Sequence, residues 1–261
     1  MLKGKRVVLG VTGGIAVYKA AEFVRLLVKA EVDVHVVMTE NAQRFVTPLT
    51  FQTLSGNSVV TDSFALLEDA TIGHIALADL AEMVVILPAT ANIIGKIANG
   101  IADDFLSTMV MATKAPVLFV PSMNVNMWEN KALQKNIQIL LGLGYHLLEP
   151  GEGELACHWY GKGRLPELNE VVEKMEDLLS PKDLEGEQIL ITGGPTQEPI
   201  DPVRFITNHS SGKMGYALAK MARRRGANVI LVSGPASLPL PGRNIKCVSI
   251  RSAEEMRKAV L

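Results

Sequence analysis

The chain has 261 residues, a net charge of −1 and two cysteines, Cys157 and Cys247. The length holds one large domain or two ordinary ones. The near-zero charge argues against nucleic acid or an anionic membrane as partner, and two cysteines are too few for a disulfide framework. No apolar run reaches the roughly 20 residues of a membrane helix, so a cytoplasmic protein without membrane attachment is expected. Aromatic residues are 5% of the chain, which leaves an aliphatic, Ala-rich core of the kind that suits parallel sheets with closely packed helices.

The basic start, Met1 to Arg6, is followed only by Val7-Val8-Leu9 before glycines. That is a first strand rather than a signal peptide. Arg6 to Val11 reads as this buried strand, and Thr12-Gly13-Gly14-Ile15-Ala16 as a Gly-rich turn. Val17, Ala20, Ala21, Val24, Leu27 and Val28 then recur at helical spacing. A second strand, Val32 to Met38, completes a βαβ unit and ends in Met38-Thr39-Glu40-Asn41-Ala42. The full G-x-G-x-x-G fingerprint is missing, and no acidic residue closes the second strand to hold a ribose. A mononucleotide phosphate held by backbone N–H groups and the hydroxyls of Thr12 and Thr39 fits better than a dinucleotide. The alternative is that the glycines serve only tight helix–strand packing.

Residues 45–66 mix helix and loop signals. Thr71 to Ala81, with His74 near its start, reads as a short apolar helix. Met83 to Leu87 has the unbroken apolar character of a strand covered on both faces and exits into Pro88-Ala89-Thr90-Ala91-Asn92. Helices follow through Ile93 to Ala98, with Lys96 on a solvated face, and through Leu106, Met109, Val110 and Met111. The strand Val117 to Val120 then opens into Pro121-Ser122-Met123-Asn124-Val125-Asn126-Met127-Trp128. Two amides, two thioethers and an indole at a strand end can orient and wall a carboxylate or a flat heterocycle; the plainer reading tucks Met and Trp into the core. A helix through Leu133, Ile137, Leu140 and Leu141 and a short strand, Tyr145 to Leu148, come next. The glycine-dense stretch Gly151 to Arg164 reads as a mobile flap carrying the Cys157 thiol, and Glu167 to Leu179 as an amphipathic helix.

Ser180 to Gly186 reads as a linker. The pattern then restarts with a strand, Gln188 to Thr192, and a turn, Gly193-Gly194-Pro195-Thr196. Gln197 to Asn208 looks irregular. Ser210 to Gly215 enters a helix through Leu218, Met221 and Ala222, and Val229 to Val232 is a strand. About three strands are expected before a last helix from Ala253. The fold class is thus α/β: a doubly wound parallel sheet plus a partial second Rossmann-like unit.

Several segments together resemble one family, the bacterial bifunctional flavoproteins that join phosphopantothenoylcysteine decarboxylase to phosphopantothenate–cysteine ligase in coenzyme A synthesis. The decarboxylase resemblance spans residues 1–180. It rests on Gly13 to Ala16 with Tyr18-Lys19, Gly73-His74-Ile75, Pro88 to Asn92, Asn99 to Asp104, Met123 to Trp128 and the Cys157 segment. The ligase resemblance spans residues 186–261 through Ile191 to Thr196, Ile200 to Arg204 and Asn208 to Gly215. Ser122, His158, Trp159 and Leu165 depart from the usual pattern, and the ligase part lacks the family's later nucleotide and dimer segments, so ligase activity is not expected of this length alone.

The resemblance implies FMN as cofactor and 4'-phosphopantothenoylcysteine as substrate, in a trimer-based homo-oligomer. FMN would take a hydride from the substrate thiol, leaving a thioaldehyde. The carboxylate β to that C=S group then departs as CO₂, giving an enethiolate that the returned hydride and a proton convert to 4'-phosphopantetheine. His74, Asn124 and Cys157 are the implied catalytic residues: His74 as acid/base or charge partner, Asn124 as carboxylate ligand and Cys157 as proton donor. Met127 would pack on substrate or flavin. Gly13, Gly14, Ile15, Thr39, Thr90, Ala91 and Asn92 would line the FMN site, with Lys19 and Lys96 read as solvated. In the ligase part, which in the family uses CTP and Mg²⁺, Asn208 would handle the acyl-cytidylate beside Gly193, Gly194, Ser210 and Gly212. Lys213 is read as surface, Cys247 as packing, and no metal site is expected in the chain. Competing readings are a flavin prenyltransferase-like protein, a flavin-binding regulatory subunit, and a generic NAD(P)-binding fold.

Overall fold

The computed structural model describes residues 2–62, 73–154, 159–242 and 245–261. The chain forms two compact units, Met1–Leu178 and Leu179–Leu261.

The first unit opens with β1 (Arg6–Val11), α1 (Val17–Lys29), β2 (Asp33–Met38), α2 (Glu40–Gln43), α3 (Pro48–Ser55) and β3 (Val59–Val60). It continues with α4 (Gly73–Leu80), β4 (Met83–Ala89), α5 (Ala91–Ala98), α6 (Phe105–Ala112) and β5 (Val117–Pro121). Then come α7 (Val125–Trp128), α8 (Lys131–Gly142), β6 (His146–Leu147), a hairpin of β7 (Gly151–Glu154) and β8 (Tyr160–Arg164), and α9 (Leu168–Leu179). The main sheet has the order β3-β2-β1-β4-β5-β6, and all its pairings are parallel. Every residue of β4 and β5 is buried, which explains their lack of alternation: helices cover both faces.

From β1 the chain adds strands to one side, then crosses back to place β4 on the other. That makes β1/β4 the topological switch point, and the crevice beyond their carboxyl ends is where such sheets take ligands. One face packs Val8, Val84, Ile86 and Phe119 under α5, α6 and α8. Here a Cβ on Gly10 would lie 2.6 Å from Leu106, so α6 sits close because that strand position has no side chain. The buried stripe of α1 is Val17, Ala20, Phe23, Val24 and Leu27; Phe23 fills the centre where the sequence pointed to Ala21 and Val28. Met111 and Leu141, expected inside, are exposed, because each lies just past the buried arc of its helix. Thr71 and Ile72, the expected start of α4, lie outside the described residues.

The second unit contains β9 (Gln188–Gly193), β10 (Gln197–Pro199), β11 (Phe205–Thr207), α10 (Lys213–Arg224), β12 (Asn228–Ser233), β13 (Ile245–Ser249) and α11 (Ala253–Val260). β13-β12-β9 form a three-stranded parallel sheet, the number the sequence suggested. Two expectations are corrected. The helix α10 buries its small residues, Gly215, Ala219 and Ala222, while Leu218 and Met221 face out. A Cβ on Gly215 would lie 2.9 Å from Gly193 Cα, so only a face of small residues lets the helix come this near the strand. Residues 197–208, read as irregular, contain the antiparallel hairpin β10–β11. Its turn is closed by Asp201, whose carboxylate accepts the N–H groups of Val203 and Arg204 and the Arg204 Nε–H at 2.6 Å. Pro199 and Pro202 mask its strand character, since proline is poor evidence for a strand. Cys247 packs against the core of this unit, as expected.

Candidate active site

Three strand exits of the first unit build the site. At β1, Gly13 and Gly14 are half-buried and Ile15 is exposed, leading into the N-terminus of α1. A Cβ on Gly13 would collide with Asn41 at 2.5 Å, whereas one on Gly14 would meet only Thr90 Cγ2, at 3.9 Å. The first glycine is therefore required by the approach of α2, and the second leaves open room. At β2, Thr39 caps α2; its N–H donates to the Val11 carbonyl at 3.0 Å and its hydroxyl lies 3.4 Å from the same oxygen. At β4, Thr90 caps α5 and accepts the Ile93 N–H at 3.4 Å, with Ala91 half-buried and Asn92 exposed in the first turn.

Two expectations from the sequence do not hold here. The Thr12 hydroxyl is buried and bonded to Pro88 and Thr90, so it is spent inside the protein and not offered to a phosphate. Lys96 is not solvated: its side chain is 21% exposed and pairs with Asp103 at 2.7 Å and Asp104 at 2.9 Å. Asp104 in turn forms a capping box with Ser107 at the start of α6. Burial pushes the Asp104 carboxyl up, but the Ser107 N–H and the Lys96 ammonium outweigh it and hold the group below the usual carboxylate value.

At β5 the exit loop closes into the short helix α7. Asn124 caps it, its Oδ1 accepting the Asn126 N–H at 2.8 Å. This commits the amide oxygen to the turn. Trp128 goes into the core, as the plainer reading has it, and Met127 stands exposed. The glycine-dense stretch is an antiparallel hairpin, β7–β8, with an irregularity beside Gly151 that leaves Gly163 without an opposite number. Its return strand is clamped to the Asn124 loop. The Met123 N–H donates to the Gly163 carbonyl at 3.0 Å, and Lys162 stands over the Trp128 ring at 5.8 Å while pairing with Glu149. Cys157 and His158 lie outside the described residues.

A cavity of about 470 Å³ is lined by Ile15, Lys19, Ser122, Glu154, Arg164 and Glu167, among others. It thus joins the Gly-rich turn, the β5 exit and the hairpin. Lys19, read from the sequence as solvated, pairs with Glu22 at 2.8 Å; that bond raises the ammonium's pKa against the opposing effect of burial. Its position one turn into α1 was the signal that could have marked it as a cavity residue. Arg164 pairs with Glu167 at 3.4 Å. Neither His74 nor Asn124 lines this cavity. His74 is half-buried near the start of α4, its ring edge-to-face with Phe105 at 6.3 Å.

In the second unit, Gly194 and Gly212 both have positive φ, and a Cβ on Gly212 would lie 3.3 Å from the Gly194 nitrogen. The glycines thus converge where β9 meets the N-terminus of α10. Asn208 is exposed, its Oδ1 accepting the Ser210 N–H at 2.8 Å; Ser210 and Lys213 are exposed as well.

A family model described as Flavoprotein matches residues 1–180. The chain belongs to the Flavoprotein family. A second model, the DNA/pantothenate metabolism flavoprotein C-terminal domain, matches residues 184–261. Among curated relatives, the coenzyme A biosynthesis bifunctional protein CoaBC of Bacillus subtilis is 51% identical over all of this chain. The chain spans about 65% of that relative's length. A solved mutant of PPC decarboxylase complexed with pantothenoylaminoethenethiol is 26% identical, with a TM-score of 0.60, over 66% of this chain and 97% of that one. The FMN-dependent cysteine decarboxylase SpaF is 30% identical, also with a TM-score of 0.60, over 69% of this chain and 97% of its own. This Flavoprotein chain therefore has the fold of those decarboxylases in its six-stranded sheet. Among its described residues no helix is long and apolar enough to cross a membrane, and no cluster of three or more His, Cys, Asp or Glu could hold a metal.

Proposed function

We propose that this chain decarboxylates 4'-phosphopantothenoylcysteine to 4'-phosphopantetheine with FMN, within the cytoplasmic route to coenzyme A. Residues 1–180 form the decarboxylase domain in this reading, and residues 186–261 are the first part of a CTP- and Mg²⁺-dependent phosphopantothenate–cysteine ligase domain. The observation that carries the reading is the meeting of the Gly-rich turn, the β5 exit and the hairpin around one cavity, in a chain 51% identical to a CoaBC protein.

The residues fit FMN. Gly13, Gly14 and Ile15 turn backbone N–H groups toward an anion at the N-terminus of a 13-residue helix, and Gly14 leaves room toward Thr90. Thr39, Ala91 and Asn92 complete the rim. Bound FMN would supply a hydride acceptor and donor. Asn124 binds the substrate carboxylate through its N–H₂. Met127, exposed beside it, packs on substrate or flavin. His74 moves a proton or balances charge at the substrate thiol, and Cys157 gives the final proton to the enethiolate carbon. Asn208 serves the acyl-cytidylate in the ligase domain.

The active form is a trimer-based homo-oligomer. Exposed apolar side chains support this, among them Ile15, Tyr18, Phe45, Leu49, Ile75, Ile101 and Met111. A cyclic assembly joins unlike patches of neighbouring copies. The test is direct. Purified protein reconstituted with FMN should be yellow and release CO₂ from 4'-phosphopantothenoylcysteine; a colourless protein, or a yellow one that releases none, overturns the proposal.

A further inference from the structure

The ladder between β1 and β4 ends at Gly10 and Ile86. Two residues beyond that point on each strand, one side chain takes over. Thr12 is 2% exposed. Its hydroxyl donates to the Pro88 carbonyl at 2.6 Å and accepts the Thr90 N–H at 3.1 Å. The Thr90 hydroxyl oxygen lies 3.2 Å away. A hydroxyl has one hydrogen and two lone pairs. Thr12 accepts the Thr90 N–H on one lone pair, and its one hydrogen faces two acceptors, the Pro88 carbonyl and, further off, the Thr90 oxygen. The Thr90 oxygen also accepts the Ile93 N–H, at 3.4 Å. The buried Thr12 hydroxyl is thereby engaged inside the protein.

We infer that Thr12 is a positioning residue for the flavin phosphate cradle: it fixes the β4 exit (Pro88 to Asn92) against the glycines that follow it in the chain, and touches no ligand itself. The bonds bridge the switch point, where the sheet's own ladder has stopped. Thr90 starts α5 and Thr12 precedes Gly13, so one buried hydroxyl sets the spacing between two loops that must grip the same group. A misplacement of about 1 Å at such a site is enough to cost large factors. The inference rests on the FMN reading for its consequence, though not for the coupling itself.

The variants are Thr12→Val, which keeps the shape and removes the hydroxyl, and Thr12→Ser, which keeps the hydroxyl. Apoprotein is titrated with FMN by fluorescence quenching, at a temperature where circular dichroism shows all variants folded. Thr12→Val should raise the FMN Kd 10- to 100-fold; Thr12→Ser should stay within about threefold of wild type. Hydrogen exchange of the apoprotein supplies a readout that needs no flavin. In Thr12→Val the amides of residues 12–16 and 89–92 should exchange at least tenfold faster, while those of β2 and β5 stay unchanged. Equal FMN affinity in Thr12→Val, or Thr12→Ser as weak as Thr12→Val, overturns the positioning role. Unchanged exchange in both segments overturns the coupling. If wild-type protein binds no FMN, the proposed function falls, and the exchange data alone then decide whether Thr12 ties the two exits.

Discussion

The clamp between hairpin and Asn124 loop makes a quantitative claim about Gly163. Its φ is +151°, and a Cβ there would sit 2.2 Å from the Met123 carbonyl oxygen and 3.3 Å from its carbon. Real Cβ atoms do not reach the first distance, and the atom met is backbone, so the hairpin or the loop must move. Overpacking of this kind costs about 1–3 kcal/mol. Relieving it gives up the Met123–Gly163 hydrogen bond, about 1 kcal/mol, and the glycine-favoured backbone adds about 1–3 kcal/mol. For a unit of this size each kcal/mol lowers Tm by about 2–4 °C, so Gly163→Ala should melt on the order of 10 °C below wild type. Its decarboxylation rate should fall about 100-fold, because the loop that shifts carries Asn124. Gly151→Ala in the same hairpin is the control: its Cβ would stand an ordinary 3.8 Å from Arg164, and its stability should stay within about 0.5 kcal/mol of wild type. Thermal melts followed by circular dichroism and a CO₂ assay measure both. A Gly163→Ala protein that melts and turns over like wild type would refute the clamp.

Three further outcomes are expected. His74→Asn should abolish CO₂ release while the protein stays yellow, and retained turnover would remove His74 from the mechanism. Cys157→Ser should still release CO₂ but accumulate the oxidised enethiol, detectable by mass spectrometry; normal phosphopantetheine formation would exclude the thiol as proton donor. Asp104→Ala should cost about 1–2 kcal/mol through loss of the α6 cap. The folded Asp104 carboxyl lies below its ordinary value. Its contribution is therefore whole above about pH 3.9 and is lost as pH falls through the lower folded value. The stability gap between wild type and variant in denaturant titrations should accordingly close in strong acid.

What could be read from the sequence tracks how local each signal is. Runs such as Met83 to Leu87 specify buried strands by themselves, whereas the order of the main sheet is set by long-range pairing that no local run carries. Helix faces were harder. On α10 the apolar pattern pointed to Leu218, Met221 and Ala222, yet of these only Ala222 is buried, together with Gly215, Ala219 and Arg224, because closeness of backbone to strand decided the packing. Lys96 carried no sign of its two carboxylate partners seven and eight residues on, since a loop had to fold back first. Thr12 was given the wrong partner: burial, invisible in sequence, turns its hydroxyl inward. The glycines of the hairpin permit close contact that the sequence did not show, Gly161 against Val125 and Gly163 against Met123.

The separation of His74 from the cavity leads to the last prediction. Asn124 belongs to the loop that the hairpin clamps, and the hairpin helps line the cavity through Glu154 and Arg164. His74 belongs to α4, beside the exposed Ile75 and packed on Phe105 of α6. If the exposed apolar side chains beside His74 seat against the cavity of the next copy, the imidazole of one copy serves the cavity of another. Two inactive variants, His74→Asn and Asn124→Ala, should then complement each other when co-expressed. With random mixing in a cyclic assembly, roughly one quarter of the sites receive an intact pair, so activity should recover to about that fraction of wild type. Each variant expressed alone should remain dead. Co-expressed protein that forms mixed oligomers, yet has no more activity than either parent, would mean that both groups act within one copy.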